Sequence, residues 1–262
     1  GSAAVSASDR WVIYSANPNA DTFGGLDSHA TALWNSTIAT RDPSTIIGNR
    51  YVFSYAPILT VSASNDISKV YGTQLDGSSV AWVVSGYQPG VVGAFLGDTP
   101  ATAFSGSPLI VSAGFDARAS VAGGPYPIGL GKGTLHSDLG YVFAFDPGQW
   151  VTITPKNLIG GIMVDNKIYD GTTAGTGSVT LNGVVSGDTV STSGTIFTFA
   201  DKNAGIGKTV AVTGTMLTGA DASNYTITLP AGVVADILKK DITGTITANN
   251  KTYDGTLVGT GT

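Results

Sequence analysis

Asn166-Lys167-Ile168-Tyr169-Asp170-Gly171-Thr172 returns 84 positions later as Asn250-Lys251-Thr252-Tyr253-Asp254-Gly255-Thr256. Self-similarity at a fixed period marks a repeat architecture, in which each copy is one structural unit set head to tail with the next. Units of this kind extend or display more readily than they catalyse, so the repeat points to a spacing module. The chain stops at Thr262, 22 residues into the second copy, and so reads as a fragment of something longer. Its opening Gly1-Ser2 reads equally as an expression scar or as natural sequence.

The first copy occupies residues 156–240. Ile162-Met163-Val164 and Lys167-Ile168-Tyr169 stand at its start, and Tyr225-Thr226-Ile227-Thr228-Leu229 and Val233-Val234-Ala235-Asp236-Ile237 near its end. Residues 57–155 share the same plan, from the alternating Leu59-Thr60-Val61-Ser62-Ala63 through Lys69-Val70-Tyr71-Gly72-Thr73 to Trp150-Val151-Thr152-Ile153-Thr154. In that closing stretch Val151 and Ile153 lie opposite Trp150, Thr152 and Thr154, as a half-buried strand requires. Gly97-Asp98-Thr99 matches Gly187-Asp188-Thr189, which aligns the two sections at Tyr71 with Tyr169 and at Asp98 with Asp188. Residues 1–56 read as a β-rich linker or cap with few core residues, carrying Trp11-Val12-Ile13-Tyr14 and Tyr51-Val52-Phe53-Ser54-Tyr55 as strands. Residues 241–262 read as the truncated start of the next repeat.

The chain holds 36 Gly, no Cys, and 18 acidic residues that are all Asp. With Glu absent and β-branched Thr, Val and Ile abundant, propensity turns away from helix. Short strands between Gly-rich turns predict an all-β protein: tandem small domains, sandwich-like or β-grasp-like, in an elongated array behind the short β-rich linker. A helical turn finds room only at residues 89–96. Charged residues make up 12% of the chain and the net charge is −5, with no basic stripe for phosphates, so no nucleic-acid partner is expected. Without Cys there is no disulfide, thiolate metal site or thiol nucleophile. No apolar run reaches the length of a membrane span, and no signal peptide is visible.

Tyr169-Asp170-Gly171 reads as a hairpin signal, because Gly tolerates the positive φ of a tight turn; a recognition motif is the alternative. The Tyr is then expected over the hairpin with its hydroxyl on backbone. Tyr71-Gly72 is the shorter version, and Tyr253-Asp254-Gly255 is expected to place its Tyr likewise only within a complete unit. Asp165, Asp170, Asp188, Asp201 and Asp221 match no calcium loop and default to turn and capping duty. His29 and His136 stand outside any zinc or Ser-His-Asp pattern, so no catalytic residue, metal or cofactor is expected. Gly129-Leu130-Gly131-Lys132-Gly133-Thr134 lacks the phosphate-loop spacing and reads as a connection before a strand. Among the tryptophans, Trp34 and Trp82 are the candidate glycan contacts, since an exposed indole face can stack on a sugar; core packing is the commoner fate of Trp.

Lys167-Ile168-Tyr169-Asp170-Gly171-Thr172-Thr173, with Ser186-Gly187-Asp188-Thr189, Phe199-Ala200-Asp201-Lys202-Asn203, Gly207-Lys208-Thr209-Val210 and Gly219-Ala220-Asp221-Ala222-Ser223-Asn224-Tyr225, closely resembles the YDG repeat of bacterial surface exoproteins. Residues 57–155, with Lys69-Val70-Tyr71-Gly72-Thr73 and Val151-Thr152-Ile153-Thr154-Pro155, resemble the related MBG domain of the YGX type. Arg10-Trp11-Val12-Ile13-Tyr14-Ser15 with Thr22-Phe23-Gly24-Gly25-Leu26 is similar to the segment just after the β-helix in filamentous haemagglutinin-type proteins.

The resemblance implies a non-enzymatic stalk section of a large two-partner-secretion adhesin at the bacterial cell surface. It would space or display a binding region, and its partners would be host or matrix glycans or proteins reached through the parent adhesin, together with neighbouring repeat domains. Strand-mediated self-association through residues 241–262 is a further expectation. The alternative is a carbohydrate- or matrix-binding module of such an adhesin.

Overall fold

The computed structural model describes residues 10–261, so Gly1-Ser2 lies outside the described residues. The chain forms two compact units, Gly1–Lys156 and Asn157–Thr262. Both are built of short strands, as the shortage of helix formers dictates. Among the described residues no helix is long and apolar enough to cross a membrane.

In chain order the first unit carries β1 (Val12–Ser15), β2 (Arg50–Phe53), β3 (Ile58–Ala63), β4 (Ile67–Val70), β5 (Trp82–Ser85), helix α1 (Pro100–Ala103), β6 (Leu109–Val111), β7 (Tyr126–Pro127), β8 (Gly129–Gly131), β9 (Val142–Asp146) and β10 (Trp150–Thr154). They join as β1-β2, β5-β3-β9, β4-β10-β7 and β6-β8. Val151 and Ile153 of β10 are buried and alternate with exposed Trp150, Thr152 and Thr154, the period-two pattern read from the sequence. The Gly-rich stretch at 129–134 is not a mere connection. Its first three residues are β8, paired antiparallel with β6. Residues 89–96 form no helix; a single turn, in which the Ala94 and Phe95 N–H groups donate to the Val91 carbonyl, and a Val91–Phe95 bridge close them. The one turn of α-helix among the described residues begins at Pro100 behind a Thr99 capping box.

Residues 10–56 supply far more core than their sequence suggests. Trp11, Leu33, Trp34, Tyr51, Val52 and Phe53 are buried in one cluster with Leu59, Ala94, Phe95 and Tyr141. The polar-looking middle of that stretch folds back on β2: the Leu33 N–H donates to the Tyr51 carbonyl, and the Phe53 N–H to the Leu33 carbonyl. These bonds satisfy the backbone and turn the aromatic side chains inward together. No boundary at residue 56 separates two cores.

The second unit carries β11 (Lys156–Val164), β12 (Lys167–Ile168), β13 (Ala174–Gly175), β14 (Gly177–Asn182), β15 (Ser191–Ser193), β16 (Ile196–Phe199), β17 (Gly205–Thr213), β18 (Met216–Thr218), β19 (Tyr225–Thr228) and β20 (Val234–Leu238). Three sheets result, ordered β14-β11-β19, β12-β20-β17-β16-β13 and β15-β18. The first two share an interior of Phe197, Phe199, Val210, Ala235 and Ile237, with Ile162, Val164, Val179 and Val212 packed against it. This unit therefore encloses its own core.

One topological feature recurs in both units. The strand before the Tyr runs parallel to the strand that closes the unit: β4 beside β10, with Val70 opposite Thr154, and β12 beside β20, with Ile168 opposite Leu238. In each case the Tyr amide extends the ladder, Tyr71 N–H to Thr154 O at 2.9 Å and Tyr169 N–H to Leu238 O at 2.8 Å.

Candidate functional site

The repeated heptapeptide builds a clasp around a lysine. Asp170 accepts from the Thr172 N–H and hydroxyl, both at 2.9 Å, and Gly171 sits at φ +81°, where a Cβ would be strained. Lys167 then spans the turn: its Nζ lies 2.8 Å from Asp170 Oδ1, donates to the Ala174 carbonyl at 2.7 Å and lies 5.8 Å from the centre of the Phe199 ring. The Lys167 hydrogen bond, reinforced by the Thr172 amide, pulls the Asp170 carboxyl down to about 2. The turn is not a hairpin, however. β12 and β13 lie at opposite edges of the five-stranded sheet, so Asp170-Gly171 links two edges instead of adjacent strands.

Unit 1 solves the same problem with carbonyls in place of a bonded carboxylate. Lys69 is buried and donates to the Thr73 carbonyl at 2.7 Å and to the Asp116 carbonyl, while Gly72, immediately after Tyr71, takes φ +89°. Burial lowers the Lys69 pKa, and the negative charge of Asp116 partly restores it.

A second constellation is only half legible in the sequence. Tyr225 O–H donates to Asp188 Oδ2 at 2.6 Å and accepts from the Val185 N–H at 3.0 Å. Tyr141 O–H likewise donates to Asp98 Oδ2 at 2.6 Å and accepts from the Gln88 N–H at 2.7 Å. The two Gly-Asp-Thr triplets align Asp98 with Asp188, but nothing in them assigns the tyrosines. The hydroxyl-to-backbone bond expected of Tyr169 belongs to Tyr225 instead. Burial first, then the bond to Asp188, pushes the Tyr225 phenol up to about 12. Burial, then the bond to Asp98, raises the Tyr141 phenol likewise.

Trp34 lies inside this second constellation and is only 1% exposed. Its Nε1–H donates to Asp98 Oδ2 at 2.8 Å, and its ring stacks on Phe53 at 5.2 Å. Gly140, at φ +98°, lets the chain pass the Trp34 carbonyl, so both backbone and ring are enclosed. The reading of Trp34 as a glycan contact is corrected accordingly: no ring face is open to a sugar. Asp98 Oδ1 is buried without a hydrogen-bond partner, and desolvation raises this carboxyl against the bonds from Tyr141 and Trp34. Trp82 differs. It is half-buried, beside Phe104, and lines a groove of about 500 Å³ with Ser78, Val80, Ser107 and Leu109.

The five carboxylates weighed for calcium do not converge. Asp165 accepts from the Thr176 hydroxyl, Asp201 from Lys208 Nζ at 2.6 Å and Asp221 from the Thr189 N–H at 2.8 Å, while Asp170 holds the clasp and Asp188 the Tyr225 hydroxyl. Among the described residues no three His, Cys, Asp or Glu side chains form a metal-holding group. His29 and His136 are exposed, each beside an aspartate two positions away, at 3.5 Å from Asp27 and 2.9 Å from Asp138. The two-residue spacing of His and Asp is the signal in the sequence that marks these pairs.

Small all-β units, each closed by a parallel strand pair and pinned by a Tyr–Asp bond, are the class that fold and site define. Residues 154–232 match the model of the YDG domain. No curated protein and no solved structure matches the chain.

Proposed function

We propose that this chain is a non-enzymatic stalk section of an extracellular bacterial surface adhesin of the filamentous haemagglutinin type, exported by two-partner secretion, in which serial β-units hold a binding region away from the cell. The carrying observation is the YDG match at 154–232 on a unit that encloses its own core and whose opening heptapeptide is copied downstream. Self-contained cores let units be added in series without redesign, which is what a spacer needs. The polar side chains that chemistry would draw on support the same reading, since the aspartates above are engaged in turns, capping and tyrosine bonds. Small-angle scattering tests the spacer: an extended particle is expected, and a compact globule defeats it. Protease shaving of intact cells of the source bacterium tests the surface location.

A carbohydrate-binding role is the second reading, favoured by one observation, the Trp82 groove with its serine rim. An aromatic face edged by hydroxyls suits a sugar ring. A glycan array that loses its hits on Trp82→Ala supports this reading, and an array without hits removes it.

A further inference from the structure

We propose that the second unit is built to carry tension along the chain, with the parallel pair β12–β20 as its mechanical clamp. The proposal deepens the spacer reading and rests on it for its biological sense. The chain enters the unit through β11, only Asp165 and Asn166 separate β11 from β12, and the chain leaves the ordered sheet at Leu238, the last residue of β20. Pull on the N-terminal end loads β11 first, between β14 and β19, and passes on to β12, while pull on the C-terminal end loads β20 between β12 and β17. Along this path β12–β20 is a pair in which the two pulls oppose each other along parallel strands. In a parallel pair, such pulls act along the strands and across the hydrogen bonds, so the bonds are loaded together. In a two-stranded hairpin pulled from its open end, they would break one at a time.

Both ends of the pair are reinforced. At the leading end the Asn166 side chain accepts from the Asp236 N–H at 2.8 Å, and at the trailing end Tyr169 N–H donates to Leu238 O at 2.8 Å. Between them Lys167 stands opposite Ile237 and Ile168 opposite Leu238. The Lys167 clasp fastens the loaded strand to the turn beyond it, through the Thr172 and Ala174 carbonyls and Asp170. The same device recurs with different residues in unit 1. There Asp66 accepts from the Trp150 N–H at 2.8 Å at the leading end of β4–β10, and Tyr71 N–H donates to Thr154 O at the trailing end. Asn250 and Tyr253 occupy the corresponding positions of the next copy. The parallel pair sealed at both ends is thus kept in both units although the sealing side chains differ.

Single-molecule pulling of the full chain tests this, with a cysteine appended at each end, an unambiguous handle in a chain without Cys. Rupture of the second unit releases roughly 290 Å of contour, which identifies the event. Forced unfolding tracks the unfolding rate and not equilibrium stability, so the two can be separated. Tyr169→Pro removes the trailing amide and is expected to lower the rupture force about twofold. Asn166→Ala, an exposed and milder change, is expected to lower it less but measurably. Thr192→Pro, in the β15–β18 ribbon away from the load path, is expected to cost denaturant stability while leaving the force unchanged. Equal force losses in all three variants, or a wild-type unit that yields as easily as a peeled hairpin, overturns the clamp. The scattering result stands apart: an extended particle with a weak second unit would keep the spacer and remove only this proposal.

Discussion

Residues 164–177 and 248–261 have nearly the same local structure and opposite fates. Val164 pairs with Gly177 and Ala248 with Gly261; Asp165 N–H reaches Thr176 O and Asn249 N–H reaches Thr260 O, each at 2.9 Å. Lys167 bonds the Ala174 carbonyl at 2.7 Å, and Lys251 the Val258 carbonyl at 2.9 Å. Gly171 and Gly255 take φ +81° and +73°. Yet Leu158 is fully buried while its counterpart Ile242 is 93% exposed, and Tyr169 is 37% exposed against 93% for Tyr253. The clasp therefore forms without a core beneath it, whereas the packing of the tyrosine does not. Turn chemistry acts over a few residues, whereas burial requires strands from the far end of the unit.

The largest test of that contrast is Phe199→Ala. Phe199 lies at the centre of the second core and beneath Lys167, so its truncation should cost about 3–5 kcal/mol. Denaturant unfolding of unit 2 should move accordingly, while the chemical shifts of 248–261 stay where they are. A shift in both copies would show that the clasp depends on the core after all.

Next in size is Tyr225→Phe, which removes the donor to Asp188 and the acceptor of the Val185 amide. We expect a loss of about 1–3 kcal/mol, confined to unit 2, with Tyr141→Phe as its counterpart in unit 1. Thermal melts of the two variants should each shift one transition only.

Acid distinguishes the two kinds of carboxylate more gently. Asp170 titrates near 2, below the ordinary carboxyl at about 3.9. Its contribution to stability is present in full above that ordinary value and is lost as pH falls through about 2. Asp98 is raised, so its contribution is full below the ordinary value and is lost as pH rises through the folded value. Asp254, held down by Lys251 and the Thr256 amide, should behave like Asp170 in direction despite its exposed surroundings. Carboxyl carbon titrations by NMR read all three, and an Asp98 midpoint at or below the ordinary value would contradict the enclosed Trp34–Asp98–Tyr141 arrangement.

Smallest is Thr256→Ala. It removes the hydroxyl that serves Asp254 and Lys251, and should raise local amide exchange with less than about 0.5 kcal/mol of global effect. Thr172→Ala should cost more, because in that copy the clasp anchors a strand of the core sheet.

Much is legible in the sequence because it is local. The alternation in Trp150-Val151-Thr152-Ile153-Thr154 marks the buried face of β10, and the Asp-Gly pair marks the positive φ. The absence of Glu and the wealth of β-branched residues yield an all-β protein. The misreadings are all of long range. Trp34 follows Ala32-Leu33 but is followed by Asn35-Ser36-Thr37, and its partners Phe53, Asp98 and Tyr141 lie farther along the chain, so its immediate neighbours do not separate burial from exposure. Gly129-Leu130-Gly131 has no strand signature and becomes β8 only because β6 is there to pair with it.

By itself, then, the order of residues determined the repeat, the strand-forming character of the chain and the clasp, since each arises from steric preferences and hydrogen bonds spanning a few positions. Only the tertiary structure decided that residues 10–56 share a core with residues up to Tyr141, that Asp170-Gly171 joins sheet edges instead of closing a hairpin, and which tyrosines meet which aspartates. Those outcomes depend on closing loops of tens of residues, and the burial that repays the closure is a property of the whole unit and not of any segment within it.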